Sequence, residues 1–203
     1  MKKNKESEKK KKWIKYSFRK YNKNFPRLFS QEKKELLKLS AKNKNVKIEI
    51  EHIGSTAVPG LGGKGIIDMA IFVPKKSINS AKKMISSQGY EEWPVPKKRK
   101  FFSFARYYGS KDHPKRVFHI HITSDKDVFQ TMLIFKDYLI ANPKTSADYA
   151  KLKKKAAKSC KNDYRPYLKL KNPFIKSVII KARKEAKWKK VIIKMQWYGL
   201  QSF

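Results

Sequence analysis

The sequence predicts a single α+β domain: a mixed β-sheet with helices packed on one side, followed by a helical C-terminal part. Short apolar runs with strand periodicity recur up to Thr123, and from Asp125 onward the apolar residues fall at helical spacing. Strands first and helices after is the order of an α+β fold rather than of repeating βα units. A length of 203 residues with 40% hydrophobic content suits one core.

Met1 to Lys12 reads as a disordered basic tail, 13–195 as the domain and 196–203 as a C-terminal tail. Ser30 reads as the N-cap of a helix carrying Leu36, Leu37 and Leu39. Val46 to His52 alternates Ile48 and Ile50 with charged residues, as a half-buried strand does, and Ile66 to Val73 is apolar enough for a central strand. Ser77 to Gln88 predicts a helix with Ile78, Ala81, Met84 and Ile85 on one face, ended by Gly89. Lys100 to Tyr108 and Arg116 to Thr123 predict strands around a turn from Gly109 to Pro114. Helices are expected from Asp125 to about Ala141, from Ser146 to Ser159, and from near Pro173 towards Lys194.

The most informative stretch runs from Glu51 to Asp68. A β-branched run enters Gly54-Ser55, a Gly- and Pro-punctuated connection follows, and the next strand carries one carboxylate, Asp68. Strand, Gly-Ser turn and acid-bearing strand is the layout with which nucleotidyltransferases hold a triphosphate. Backbone N–H groups and the serine hydroxyl face the phosphates, while the acid binds a metal. The competing reading of Gly54-Ser55 is an ordinary turn. Lys64 could add a cation to such a site or be one more solvated lysine.

Asp68 interrupts an apolar strand, where an ionised carboxylate is costly unless paired or metal-bound. If Asp68 opposed folding as an unpaired charge, Asp68→Asn would raise stability in the absence of ligand. In nucleotidyl transfer a second acid two residues on completes a two-metal site. Here that position is Ala70, which argues against ordinary transfer. His119 and His121 lie at i and i+2 of a strand and so share a face. If that strand lies beside the one holding Asp68, an Asp-His-His cluster replaces the missing acid, and its chemistry suits zinc, manganese or iron better than magnesium. The alternatives are a structural Asp68 and a hydrogen-bonded histidine pair. His52, next to the turn, could orient it or donate to a phosphate. His113 looks incidental.

The stretch Ile53-Gly-Ser-Thr-Ala-Val-Pro-Gly-Leu61, followed by Lys64 and Ile66-Ile-Asp68, closely resembles the signature of the GrpB family. Other motifs agree in order: Asn24-Phe25-Pro26 with Phe29, His119-Ile-His121, Phe135-Lys-Asp-Tyr-Leu139, Asn142-Pro143, Asp148-Tyr149, Leu152-Lys153, and Tyr167 through Lys171-Asn-Pro-Phe-Ile175. The likeness runs from about Trp13 to Ala186. Departures are Gly65 in place of proline, Lys136 in place of arginine, and the lysine-rich ends. The resemblance implies a fold similar to polymerase-beta-type nucleotidyltransferases, while the family's reaction is largely undefined. It also suggests that some of Asp137, Tyr138, Tyr149, Lys153, Tyr167 and Lys171 line the mouth of the pocket. The alternative is that they clamp the helices onto the sheet, and for Asp137 the clamp is the favoured reading.

The net charge of +35 implies nonspecific attraction to polyanions such as RNA or DNA. Lysine supplies nearly all of it, whereas readers of nucleic acid lean on arginine for bidentate contacts, so a specific role does not follow. The single cysteine, Cys160, allows neither an internal disulfide nor a thiolate zinc site within the chain. No apolar run approaches the roughly 20 residues that span a bilayer, and no apolar segment follows the N-terminal lysines. A cytoplasmic protein is expected. The apolar stripe Ile175, Val178, Ile179, Ala182 and Ala186 could lie on an anionic membrane, but packing within the fold is the stronger reading. The functional expectation is a nucleotidyltransferase-like enzyme that binds a nucleotide or phosphorylated small molecule with a divalent metal (Mg, Mn or Zn). The alternative is a non-catalytic nucleotide- or RNA-binding module on the same scaffold.

Overall fold

Five strands build one mixed sheet: β1 (Glu49–Ile53), β2 (Ile67–Phe72), β3 (Glu91–Trp93), β4 (Phe102–Tyr108) and β5 (Lys115–Thr123), in the order β1-β2-β5-β4-β3. β2 and β5 run parallel, and every other neighbouring pair is antiparallel. The structure is a computed structural model that describes residues 18–43, 46–96, 99–108, 115–159 and 165–199. The expected N-terminal tail and the turn from Gly109 to Pro114 lie outside those residues.

The α+β class and the mixed sheet are as expected, but the helices divide between both faces. Alternation along β2 explains why. Ile67, Met69 and Ile71 point to one face with Ile50, Phe104, Phe118, Ile120 and Ile122. Helices α1 (Phe25–Lys42) and α2 (Ile78–Ser86) cover that face through Phe25, Leu36, Ala81, Met84 and Ile85. Ala70 and Phe72 point the other way, where Phe129, Met132 and Leu133 of α3 (Lys126–Ala141) close over them with Ile53. A strand apolar on both faces needs cover on both, so a one-sided helical layer would leave this second face wet.

Several boundaries shift for local reasons. α1 begins at Phe25, ahead of Ser30, because Pro26 fits the first turn of a helix, where its missing N–H costs nothing. α3 is capped by Asp125, whose carboxylate accepts from the N–H groups of Asp127 and Val128 at 3.0 and 3.1 Å. α4 (Pro143–Ser159) likewise starts on a proline, three residues before the expected Ser146. α5 (Arg165–Gly199) runs straight through Pro173, so the helix predicted to begin there has already turned twice. β3 is a short edge strand whose three residues are too few for a periodic signal.

Helices α3, α4 and α5 pack together and hold the connection after the Gly-Ser turn. Val58 and Leu61 are buried with Leu139, Tyr149 and Phe174. Val178 and Ala182 pack on Tyr138, so the α5 stripe is an internal contact. No helix among the described residues is long and apolar enough to cross a membrane.

A buried polar knot joins α1 to the sheet on the face away from Asp68. The Glu32 carboxylate pairs with the Arg106 guanidinium and accepts from Tyr90 Oη at 3.0 Å. The guanidinium lies 4.7 Å from the Tyr90 ring centroid and 4.8 Å from that of Phe118. Glu32→Ala removes the carboxylate and leaves a buried cation, which should lower stability by about 3 kcal/mol in urea unfolding. An unchanged midpoint would show that this pair is dispensable.

Candidate functional site

The parallel register of β2 and β5 sets Asp68 opposite His119 and Ala70 opposite His121. All four residues therefore lie on the α3 face of the sheet. Asp68 Oδ1 is 3.0 Å from His119 Nδ1, and the two imidazole rings meet edge to face with centroids 4.3 Å apart. One ligand atom from each of Asp68, His119 and His121 can be chosen so that all lie within 4.8 Å of one another. Phe101 packs its ring against His121 at 4.9 Å.

His119 is held at both nitrogens, because its Nε2 lies 2.6 Å from Ser103 Oγ. The ionised carboxylate accepts from Nδ1–H, and Nε2 shares a hydrogen bond with the serine hydroxyl. Ser103 is almost fully buried and was not among the expected residues. Alternation in Phe102-Ser-Phe104 sets it opposite the phenylalanines, but only the β4–β5 pairing shows that its face is the one with the histidines.

Gly54 has φ 71°, a left-handed conformation that favours glycine. A Cβ there would stand 2.5 Å from Asp68 Oδ2, so glycine is also what lets the turn sit against the carboxylate. Ser55 opens a single 3-10 turn, Ser55–Ala57. Its hydroxyl lies beside Gly63, where a Cβ would overlap Ser55 Oγ and stand 3.6 Å from Lys153 Nζ. Thus Gly54 borders the carboxylate, while at Gly63 the Ser55 hydroxyl takes the place that a Cβ would need.

His52 lies on the opposite face of the β1–β2 ladder from Asp68, paired with Met69. Its Nε2 is 3.0 Å from Thr56 Oγ1, Thr56 in turn donates to the Ile66 carbonyl at 3.2 Å, and the ring stacks on Phe29 at 4.5 Å. This geometry fits orienting the turn rather than donating to a phosphate. Burial lowers its pKa to about 4 despite the nearby Asp68 charge, so the ring is neutral at pH 7.

The cations come from the connection and from the C-terminal helices. Lys64 and Lys171 place their ammonium groups 5.4 and 5.5 Å from the centroid of one ring, Tyr167. Lys153 is 1% exposed, donates to the Gly62 carbonyl and lies 4.5 Å from the Tyr149 centroid. Tyr149 stacks on Phe174 at 4.9 Å, fixing that column. Of the later residues, Lys153 and Lys171 thus reach the site, Tyr149 and Tyr167 hold them there, and Tyr138 donates to Glu185 at 3.0 Å to join α3 to α5. The clamp expected at Asp137 is not formed. Its carboxylate is exposed and pairs with its neighbour Lys136 at 2.9 Å.

Electrostatics tie these groups together. Burial alone would raise the Asp68 pKa, but the His119 hydrogen bond and the charges of His119, His121 and Lys171 outweigh it, and the value falls to about 2. A carboxylate whose pKa is lowered by folding stabilises the fold above its unfolded value and loses that contribution as pH drops through its folded value. Asp68→Asn should therefore lower the melting temperature at neutral pH, with the gap to wild type closing between about pH 4 and pH 2. This reverses the gain expected for an unpaired charge, because His119 pairs it.

For Lys153, burial and the like charge of Lys171 lower the pKa from 10.5 to about 7, against the pull of Asp68. The unfolded chain then binds more protons between those values, so this group's contribution to stability rises with pH across that window. Lys153→Met should abolish that rise, measured as the wild-type minus variant unfolding free energy between pH 7 and 10.

Comparison with known proteins agrees with this architecture. Residues 15–181 match the family model described as GrpB protein. The UPF0157 protein YqkA of Bacillus subtilis is 33% identical over 172 residues, covering 84% of this chain and 47% of YqkA, so the chain spans about half of that relative. The glutamate-rich protein GrpB of Alkalihalophilus pseudofirmus is 29% identical over 167 residues, 78% of this chain and 91% of that one. The crystal structure of the conserved protein GrpB from Enterococcus faecalis superimposes with a TM-score of 0.70 at 26% identity, covering 84% of this chain and 99% of that chain. With most of its length matched by the family model and a mixed sheet shared with a solved member, this chain belongs to the GrpB family.

Proposed function

We propose that this chain binds a nucleotide, or another phosphorylated small molecule, together with one divalent metal, on a nucleotidyltransferase-like scaffold. The observation that carries the reading is the convergence of Asp68, His119 and His121 on one face, beside a Gly-Ser turn that approaches the same carboxylate. The donor set fits a metal: one carboxylate and two imidazoles within 4.8 Å suit manganese or zinc better than magnesium. Ligation by His119 would replace its bond to Asp68 or to Ser103. When bound, the metal would neutralise phosphate charge and polarise a phosphoryl oxygen. Gly54 and Ser55 would position the phosphate, and Lys64 would supply a further cation.

A second reading, a binding module without catalysis, rests on Ala70. That position is fully buried and packs with Phe129 and Ile53, so it offers neither a second carboxylate nor room for one. Transfer chemistry on this scaffold would have to proceed with a single metal. Exposed lysines on α4 and α5, among them Lys151, Lys158, Lys176 and Lys184, favour weak nonspecific attraction to RNA or DNA beside either reading.

Thermal-shift titration with Mn2+, Zn2+ and Mg2+, each with and without nucleoside mono- and triphosphates, tests the proposal, with elemental analysis of the purified protein alongside. Mn2+ or Zn2+ should raise the melting temperature and strengthen nucleotide binding, and both effects should vanish in Asp68→Asn. Nucleotide binding that is independent of metal and unchanged in Asp68→Asn would refute it.

A further inference from the structure

His119 is fixed at both ring nitrogens, so a metal on this ring must replace one of the two hydrogen bonds given above. We infer that Ser103 is the positioning residue of the site: it holds Nε2 of His119 so that Nδ1, on the side of Asp68 and the Gly-Ser turn, is the atom that ligates the metal. The inference rests on the metal reading above and adds to it a ligand atom and an outer partner.

Ser103 reaches His119 through its place in β4. The antiparallel register sets Ser103 opposite His121 and Ala105 opposite His119. Ala105 is fully buried and carries no group that can bond the ring. His119 takes the diagonal neighbour instead, with Nε2 2.6 Å from Ser103 Oγ. Phe101, just ahead of β4, packs against His121, so one segment steadies both imidazoles.

Losing the serine bond is the costlier choice. Ser103 is 1% exposed, and ligation through Nε2 would leave its hydroxyl buried without that bond. Ligation through Nδ1 asks for less. Asp68 Oδ1 lies 3.0 Å from Nδ1, and two ligands about 2.1 Å from one ion at a right angle stand roughly 3.0 Å apart. The carboxylate and the imidazole thus already hold a spacing that suits a shared ion. Asp68 and His119 are half-buried, so this side of the ring is also the more open one. Gly54 sits against Asp68 Oδ2, which puts an ion here beside the turn proposed to take the phosphate. An ion at Nε2 would lie on the β4 side, away from that turn.

Serine suits the role because its hydroxyl both donates and accepts. With a metal on Nδ1, the neutral ring carries its proton on Nε2 and donates it to Oγ, so the bond survives the change of tautomer. A hydrogen bond at the second nitrogen is the usual means of orienting a ligating histidine. Asp68, His119 and Ser103 also have the connectivity of an Asp-His-Ser triad. A nucleophile must meet its substrate, however, and Ser103 is buried. The serine therefore orients the imidazole.

The test uses the full chain with Zn2+ and Mn2+. Long-range 1H–15N spectra of histidine-labelled protein with Zn2+ should show the ion on His119 Nδ1 and the proton on Nε2. Ser103→Thr and Ser103→Val differ by a hydroxyl at matched shape, so calorimetry on this pair reports the hydrogen bond. Ser103→Thr should bind Mn2+ as wild type does, and Ser103→Val at least about tenfold more weakly. Equal Mn2+ affinity in the two variants, whatever their stability in urea, would reduce Ser103 to a structural residue and overturn the inference. Labelling of Ser103 by a fluorophosphonate would overturn it in favour of a nucleophile. If Ser103→Val fails to fold, the wild-type spectra decide. Zn2+ on Nε2 would overturn this inference and leave the proposed function standing. A wild-type chain that binds neither ion would remove the metal from the proposed function, and this inference with it.

Discussion

The parallel pairing of β2 with β5 is the constraint on which the rest of the molecule depends, because it sets Asp68 against His119 across a separation of 51 residues. An ionised carboxylate in a central strand is tolerable only with a partner. Here the partner is an imidazole anchored in turn by Ser103 from the next strand. Three strands thus contribute to one chain of hydrogen bonds, and the same pairing brings His121 onto the shared face. A slip of one residue in β5 would turn both histidines away and leave Asp68 facing Phe118 or Ile120, at the cost of the core as well as the site.

Division of the helices between two faces follows from the same strands. One face of β2 is a continuous aliphatic surface and is sealed by α1 and α2. The other is mixed: Ala70 and Phe72 are sealed by α3, while the end with Asp68 remains under the Gly-Ser turn and the C-terminal helices. The buried polar groups follow the division. Glu32, Arg106 and Tyr90 form a compact neutralised knot that ties α1 to the sheet, a structural arrangement. On the far face, Asp68 pairs with His119, and Lys153 donates to the Gly62 carbonyl. Ala70 marks the limit of the analogy with two-metal enzymes, since Phe129 occupies the ground where a second acid would stand.

Glycines do much of the shaping. Gly54 lets the turn approach Asp68, and Gly63 lets the Ser55 hydroxyl pack against the connection, where a Cβ would overlap it. The connection they belong to is anchored from two directions. Arg19 exchanges backbone hydrogen bonds with Gly63 at 2.7 and 3.0 Å, and Lys153 holds the Gly62 carbonyl from α4. The loop is thus fastened both to the N-terminal segment and to the helical part.

Local chemistry was legible in the sequence. Alternation placed Asp68 with Ala70 and His119 with His121, the Gly-Ser pair marked the turn, and the order of strands and helices indicated an α+β fold. Each of those signals depends on neighbours a few residues apart. Tertiary structure decided the rest, because it depends on which distant segments meet. The sequence placed the two histidines on one face but left open whether that face was the face of Asp68. Ser103 became a partner only through the β4–β5 register, and Lys153, which the resemblance left between the pocket mouth and a helix clamp, found its partner only when α4 folded over Gly62. The second helical layer, too, was hidden in strands whose apolar residues permit cover on either side. Periodicity records the direction in which a side chain points, and only the packed fold determines what it meets there.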